Sequence, residues 1–491
     1  MQPSPSALFA LLCALSASAL HSLAAPRPNV LLLCVDDLKP ALGCYGDALA
    51  KTPNLDRLAA RGVRFDRAFC NQAVCSPSRN ALMTSLRPQT LGIYDLPTHF
   101  RKAAPDAVTV GQYFKRHGYR TEGLGKIFHV GHGNIDDADS WSVPSWRPKD
   151  GGYALKQSTE GARDSKLGPR GAAYESADVP DNQYGDGMIA DEAIERLRAA
   201  KAKAGEQFFL AVGFLKPHLP FVAPKKYWDM HDRNAFKLAQ PQTPPAGAPG
   251  YAPQFGGELR NYKDIPAKDT LPADLQRTLI HGYYAATSYM DAQAGRVLAE
   301  LEKLGLAQNT IVVLWGDHGW HLGEHGHWGK VTNYEDATRA PLIIASPGQR
   351  QGAEVKAITE LLDVYPTLCD LTGLSKPAHL QGTSLTPLLG ESKTALHEAA
   401  ISQMTPNASK DGVMGWTLRT PRYRYIEWRR ADLSTDNPRI TDQVESVELY
   451  DYQTDPLERE NLAGKPDHLA ALKEQQNLFD KLLPHLPKRL E

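Results

Sequence analysis

The sequence predicts an α/β sandwich: a large mixed, mostly parallel sheet flanked by helices, followed by a smaller α+β domain with a short antiparallel sheet. Three observations carry the prediction. Short continuous apolar runs alternate with helical patterns over residues 25–375, the mark of buried parallel strands crossed by helices. Chemistry-bearing polar residues recur just past the carboxyl ends of those runs, where such sheets build their sites. Past this stretch, over residues 376–491, the pattern changes to short strand-like pieces and a closing helix, which marks a second unit.

The elements follow in chain order. The apolar run Ala7–Leu20 is too short to span a bilayer and leads into small residues, with Ser22-Leu23-Ala24 as a cleavage site. Residues 1–24 therefore read as a signal peptide, and the mature chain as secreted or periplasmic with no stable membrane insertion. NVLLLCVDD is the first strand and ends on Asp36 and Asp37. TPNLDRLAARGVRF reads as a helix with Thr52 and Pro53 as its start signals. VTVGQYFKRHGYRTEGLGK gives a helix, a glycine turn and a short strand. EQFFLAVGFLKPH is a buried strand running toward His218, and Leu275 to Leu304 is a long helix. NTIVVLWGDHGW and APLIIASPG are two more strands, the first leading to Asp317 and His318. ITELLDVYPTLCDLTG reads as a helix. Ala138–Gly187 and Asn234–Lys268, rich in proline, glycine and charge, read as long surface insertions. In the second unit GWTLRTPRYRYIEW and SVELYDY are strands, and a helix follows.

Composition narrows the function. Of 491 residues 42% are hydrophobic, enough for a substantial core, and the net charge is −1. A nucleic-acid-binding chain would carry a basic excess. Six cysteines occur. Cys13 leaves with the signal peptide, and the odd remainder (Cys34, Cys44, Cys70, Cys75 and Cys369) is no disulfide framework. Cys34 and Cys369 read as buried small hydrophobes. Cys75, in AVCSPSRN, needs another explanation.

Four polar clusters surround that question. Asp36-Asp37 and Asp317-His318 each follow a strand. One such acid usually caps a helix, but two strand ends carrying carboxylates point to a hard divalent cation. A third cluster is basic: Lys126 and His129 in GKIFH, His218 in LKPH and Lys330 in HWGK. The fourth is CSPSR, where Cys75 opens a helix and Arg79 follows four residues later. A helix amino-terminus favours an anion. Lysines, an arginine and a helix end beside a cation describe a site for a tetrahedral oxyanion.

Cys75-Ser76-Pro77-Ser78-Arg79 matches C-x-P-x-R, and DD, GK-x-x-H, KPH, GDHG and GK accompany it in order, with ELYDYQTDPLERENLA near the carboxyl end. Over essentially the whole mature chain this pattern resembles the type I, formylglycine-dependent sulfatase family. GKIFHVG, GFLKPHLPF, GDHGWHLGEHGHWGK and GWTLRTPRYRYIEW resemble its iduronate-2-sulfatase branch, as does His318 where arylsulfatases typically carry Asn. The resemblance implies an alkaline-phosphatase-like fold. It implies that a formylglycine-generating enzyme oxidises Cys75 to Cα-formylglycine before folding. One hydroxyl of the hydrated aldehyde then attacks sulfur, and the other collapses to release sulfate. It implies calcium, with Asp36, Asp37, Cys75, Asp317 and His318 as the shell. Arg79 would orient the hydrate, and Lys126 and Lys330 would hold the sulfate oxygens. His129 would take a proton from the hydrate and His218 would protonate the departing sugar oxygen. Lys126 is expected to be solvated when no substrate is bound.

The implied substrate is a sulfated glycan, with 2-sulfated uronic acid as first choice. Trp320, His321, His325, His327 and Trp328 lie near the site in sequence and could contact the sugar. Arg429 and Arg430 could reach an acidic glycan. Two alternatives stand beside this reading. One is a phosphodiester or phosphonate hydrolase on the same scaffold, and the other is a non-catalytic glycan-binding protein.

Overall fold

The computed structural model describes residues 27–483 except 166–167, 204, 254–256, 269, 391–393, 407–411 and 433–438. The leader read over residues 1–24, with its cleavage site and Cys13, lies outside the described residues. No helix among the described residues is long and apolar enough to cross a membrane.

Seven strands form the main sheet: β1 (Asn29–Val35), β2 (Val63–Phe69), β3 (Arg120–Gly125), β4 (Phe208–Phe214), β5 (Thr310–Gly316), β6 (Arg339–Ala345) and β7 (Ala353–Glu360). Their spatial order is β7-β2-β6-β5-β1-β4-β3. β6 runs antiparallel to both its neighbours and every other pairing is parallel, so the sheet is mixed and mostly parallel.

β1 sits inside this sheet and is apolar throughout because both of its faces are covered. Side chains alternate across a strand. Val30, Leu32 and Cys34 enter one core with Leu82 and Met83 of α1 (Cys75–Thr84), together with Tyr365 and Leu368 of a helix over Val364–Leu371. Leu31, Leu33 and Val35 enter the other core with Ile189, Ala193 and Leu197 of the Gly185–Ala202 helix. Met290 and Val297 of the long Ala273–Lys303 helix join them. Truncating one of these leucines to alanine costs about 2–5 kcal/mol.

Two elements differ from the sequence reading. The helix starting at Pro53 ends at Arg61; the Gly62 N–H bonds Ala59 O, and the following VRF begins β2. In β2 Val63 and Phe65 are buried, while Arg64 reaches Glu354 of β7 at 2.9 Å. Likewise Ile358-Thr359-Glu360 complete β7, and the helix proper starts at Val364. Both misreadings fall where a strand alternates polar and apolar residues beside a helix.

The carboxyl-terminal region forms a separate antiparallel sheet: β8 (Ala400–Met404), β9 (Val413–Arg419), β10 (Tyr423–Asp432) and β11 (Arg439–Asp451). The closing helix over Leu469–Leu482 covers it through Phe479, edge-on to Tyr425. This sheet braces the main one. Arg419 and Arg424 both bond Glu335, at 2.9 and 2.5 Å, just after the segment that carries Lys330.

Candidate active site

β1 and β5 are parallel neighbours with Val35 opposite Gly316. The two acidic pairs therefore leave the sheet side by side. Asp37 takes a left-handed turn (φ 59°), a conformation Asp tolerates better than most residues. Its N–H donates to Asp317 Oδ1 at 3.0 Å, and the His318 N–H donates to the same oxygen at 3.0 Å. Asp36, Asp37, Asp317 and His318 are all buried.

Cys75 is the first residue of α1, and its preceding residue, Val74, offers no side-chain cap, so the first N–H groups of the helix stay uncapped beside Cys75. Cys75 Sγ lies 3.3 Å from Lys330 Nζ, 3.4 Å from His318 Nε2 and 3.9 Å from Asp37 Oδ1. Only 1% of the residue is exposed.

Arg79, one helical turn on, shares the face of Cys75. Its guanidinium donates to Asp36 Oδ1 at 2.8 Å and to Asp317 Oδ2 at 2.9 Å, and also to the carbonyls of Lys126 and Ile127. The side chain is a buried clamp on two carboxylates. Lys126 follows β3 because Gly213 of β4 leaves room; a Cβ there would lie 2.2 Å from the Lys126 carbonyl. Lys126 Nζ pairs with Asp36 Oδ2 at 2.5 Å and the side chain is 15% exposed. The expectation of a solvated lysine is thus corrected: a buried carboxylate within reach holds the ammonium inside.

Lys330 Nζ bonds both oxygens of Asp37, at 2.9 and 3.1 Å. The His218 ring donates from Nδ1 to the Leu219 carbonyl at 2.6 Å, which leaves Nε2 toward Asp37 Oδ2 at 3.7 Å. His129 Nε2 meets His132 Nδ1 at 3.0 Å, and its own Nδ1 is buried without a partner among the described residues. Asp36, Asp37, Cys75, Arg79, Lys126, His218, Asp317, His318 and Lys330 thus meet in one cluster. His129 follows three residues after Lys126 and makes no hydrogen bond to that cluster among the described residues.

Charge in the pocket is strongly biased. Burial opposes ionisation of Asp36, yet Lys126 and Arg79 hold its carboxyl well below the usual range. Burial pushes Asp37 up to about 6, against His218 and Lys330. Burial also opposes charge on His318, but Asp317 and Cys75 push it up to about 9. Burial, aided by Lys126, drops His129 to about 3 and keeps that imidazole neutral. Burial also lowers His218, partly offset by Asp37 and Glu258.

Two groups of donors could grip a cation: Asp36, Asp37, Cys75 and His218, and Asp37, Cys75, Asp317 and His318, each within 4.8 Å of one another. These two groups overlap at Asp37 and Cys75, and together offer three buried carboxylates of the kind that suits a hard ion such as calcium. A thiol at position 75 is the one soft donor in the set, and an oxygen there would remove that mismatch. A third group, His321, Glu324 and Asp336, already contains a cation: Lys39 Nζ bonds Glu324 at 2.9 Å and Asp336 at 2.8 Å.

The sugar-contact expectations fare unevenly. His321, His325, His327 and Trp328 are buried in the interior. Trp320 is equally buried and packs beside Lys330, whose Nζ lies 5.4 Å from its ring centroid. Arg429 pairs with Glu427 and Asp442, and Arg430 with Glu445, within the carboxyl-terminal sheet. Sequence reasoning missed Glu258. From the second insertion it reaches His218 Nε2 at 3.3 Å and Lys330 Nζ at 3.4 Å. Burial opposes its charge, but Lys330 and His218 hold its carboxyl down to about 2.

A family model described as Sulfatase matches residues 28–374. The chain belongs to the sulfatase family. It is an enzyme of the sulfuric ester hydrolase class. A second model, N-sulphoglucosamine sulphohydrolase, C-terminal, matches residues 323–484 of this sulfatase. The sulfatase is 34% identical to iduronate 2-sulfatase of Mus musculus, over 93% of this chain and 94% of that one. Among solved structures it resembles the phosphonate monoester hydrolase of Agrobacterium radiobacter, with TM-score 0.76, 22% identity and 94% and 96% of the two chains covered. It also resembles a protein solved in complex with its substrate D-glucosamine-2-N,6-O-disulfate, with TM-score 0.74, 23% identity and 94% and 98% covered. At these identities the two structures establish a shared fold.

Proposed function

We propose that this sulfatase is an exported enzyme that hydrolyses O-sulfate esters of a sulfated glycan, with the 2-O-sulfate of a uronic acid as its substrate. Residues 25–375 form its catalytic domain and 376–491 a smaller supporting one. The convergence of Cys75, Lys126, Lys330, His218 and three buried carboxylates on one pocket carries this reading. The 34% identity to iduronate 2-sulfatase directs it to uronic acid.

With Cys75 converted to Cα-formylglycine and calcium bound, the pocket would gain a hydrated aldehyde nucleophile and a Lewis acid for the sulfate oxygens. Asp36, Asp37, Asp317, His318 and position 75 would hold the ion. Lys126 and Lys330 bind the non-bridging sulfate oxygens and stabilise charge as it develops. His218, fixed by the Leu219 carbonyl, presents Nε2 to the departing sugar oxygen and protonates it. The neutral imidazole of His129 accepts a proton from position 75. Arg79 keeps Asp36 and Asp317 aimed at the ion.

The deciding experiment follows sulfate release from a 2-O-sulfated uronate by protein from its native host. The mass of the peptide Ala68–Arg79 is measured alongside. Sulfate release together with a peptide lighter than the thiol form, trappable as an aldehyde, supports the reading. An unmodified Cys75 in an active enzyme overturns the proposed nucleophile. Preferred turnover of phosphonate or phosphodiester substrates overturns the proposed reaction.

A further inference from the structure

We propose that Arg170, seated over Tyr262, forms a second anion subsite at the mouth of the catalytic pocket. It would take a further acidic group, carboxylate or sulfate, of the sugar whose sulfate ester is cleaved. This inference rests on the substrate reading above and deepens it.

Arg170 is not on a loose tip. It pairs with Arg163 through reciprocal backbone hydrogen bonds of 2.9 Å each, forming the root of a hairpin in the first insertion. Arg163 in turn fastens the hairpin to the second insertion. Its guanidinium donates to the carbonyls of Arg260 at 2.7 Å and Lys263 at 3.3 Å. The two insertions thus form one wall, and Arg170 and Tyr262 face each other across their junction.

The guanidinium carbon of Arg170 lies 5.9 Å from the centroid of the buried Tyr262 ring, a cation–π seat that fixes the side chain without neutralising it. Its Nε is buried and has no hydrogen-bond partner among the described residues. Other inward-facing arginines differ. Arg79 is paired with Asp36 and Asp317, Arg87 with Glu360, and Arg424 with Glu335. No ion pair of Arg170 occurs among the described residues. A buried donor without an acceptor is costly to keep, and a ligand acceptor removes that cost.

The group is also in the right place. Tyr262, under the Arg170 guanidinium, ends the single turn that Glu258 begins: the Asn261 N–H donates to the Glu258 carbonyl and the Tyr262 N–H to that of Leu259. Glu258 in turn touches His218 and Lys330. Arg170 therefore stands one layer outward from the groups that hold the sulfate and protonate the leaving oxygen. A sugar anchored there by its ester turns its remaining substituents toward this wall. The planar fork of a guanidinium matches the paired oxygens of a carboxylate or sulfate.

The test compares wild type, Arg170→Lys and Arg170→Met on three substrates. These are a 2-O-sulfated uronate disaccharide with no other sulfate, its carboxyl-reduced counterpart carrying a further sulfate, and an aryl sulfate. The expected result is a KM-borne fall of about 10- to 100-fold in the preference for the acidic sugar over the aryl sulfate. Arg170→Lys should recover only part of it. A selective loss on the first substrate assigns the carboxylate, and on the second the further sulfate. An unchanged preference, or an equal loss on all three, overturns the subsite alone. A wild-type enzyme that cleaves the aryl sulfate but neither sugar overturns the substrate reading, and the subsite with it.

Discussion

Arg79 donates from Nε to Asp317 Oδ2 at 2.9 Å, and neither side chain meets solvent. The same guanidinium bonds Asp36 at 2.8 Å, so one cation compensates two buried anions contributed by adjacent strands. Removing one partner of a buried pair leaves an uncompensated charge, at about 3–5 kcal/mol. Arg79→Met should lower the denaturation midpoint accordingly and abolish turnover. Urea unfolding checks it, and a midpoint within error of wild type would refute the clamp.

Lys126 sits at the boundary between stability and catalysis. Its Nζ is 2.5 Å from Asp36, but Arg79 also holds that carboxylate. Lys126→Ala should therefore cost only about 1–2 kcal/mol of stability. Loss of a preorganised donor to the transition state should cut kcat about 100- to 1,000-fold. Sulfate release and urea unfolding on the same variant separate the two effects. A larger loss of stability than of activity would remove Lys126 from the sulfate-binding set.

Metal removal gives a third prediction. An ion that binds only the folded state adds stability that grows with its concentration. Calcium should raise the melting temperature of the wild-type protein, and a chelator should lower it and stop turnover. In Asp317→Asn both the melting temperature and residual activity should be insensitive to added calcium. Calorimetry across a calcium series reads this out. A variant that still responds like wild type would place the ion elsewhere.

The pH dependence of stability should contain a signature remote from the pocket. His397 Nε2 lies 2.8 Å from Asp363 Oδ2. Burial disfavours the charged ring, but Asp363 and Glu360 outweigh it and push His397 up to about 9. A raised folded-state value stabilises fully below the unfolded value near 6.5. The contribution is lost as pH rises through about 9, and is on the order of 3 kcal/mol. Wild type should exceed His397→Gln in stability at pH 6 by that amount, with the gap narrowing toward pH 10. A gap that stays constant across this range would contradict the assignment.

The chemistry was more legible than its setting. Asp36, Asp37, Asp317 and His318 could be read because each follows an apolar strand, and parallel strands deliver their carboxyl ends to one edge. Cys75 and Arg79 could be read because CSPSR resembles the C-x-P-x-R pattern of the sulfatase family. Glu258 and Arg170 could not, since the insertions take their shape from distant partners such as Arg163 with Arg260. β2 and β7 were missed for a local reason. Gly62 hides a strand directly behind a helix, and Ile358-Thr359-Glu360 continue without a break toward the helix that follows.

The burial of Cys75 has a temporal side. The walls that cover it arrive late in the chain: Lys330 is 255 residues downstream and His318 is 243. Contacts that distant form slowly, because long loops must close first. During synthesis the thiol thus stays open to other molecules until most of the chain exists, and it closes when the last strands of the sheet dock. Any agent that must reach Cys75 works within that interval. A mutation that speeds folding could therefore leave a stable molecule in which the sulfur was never altered.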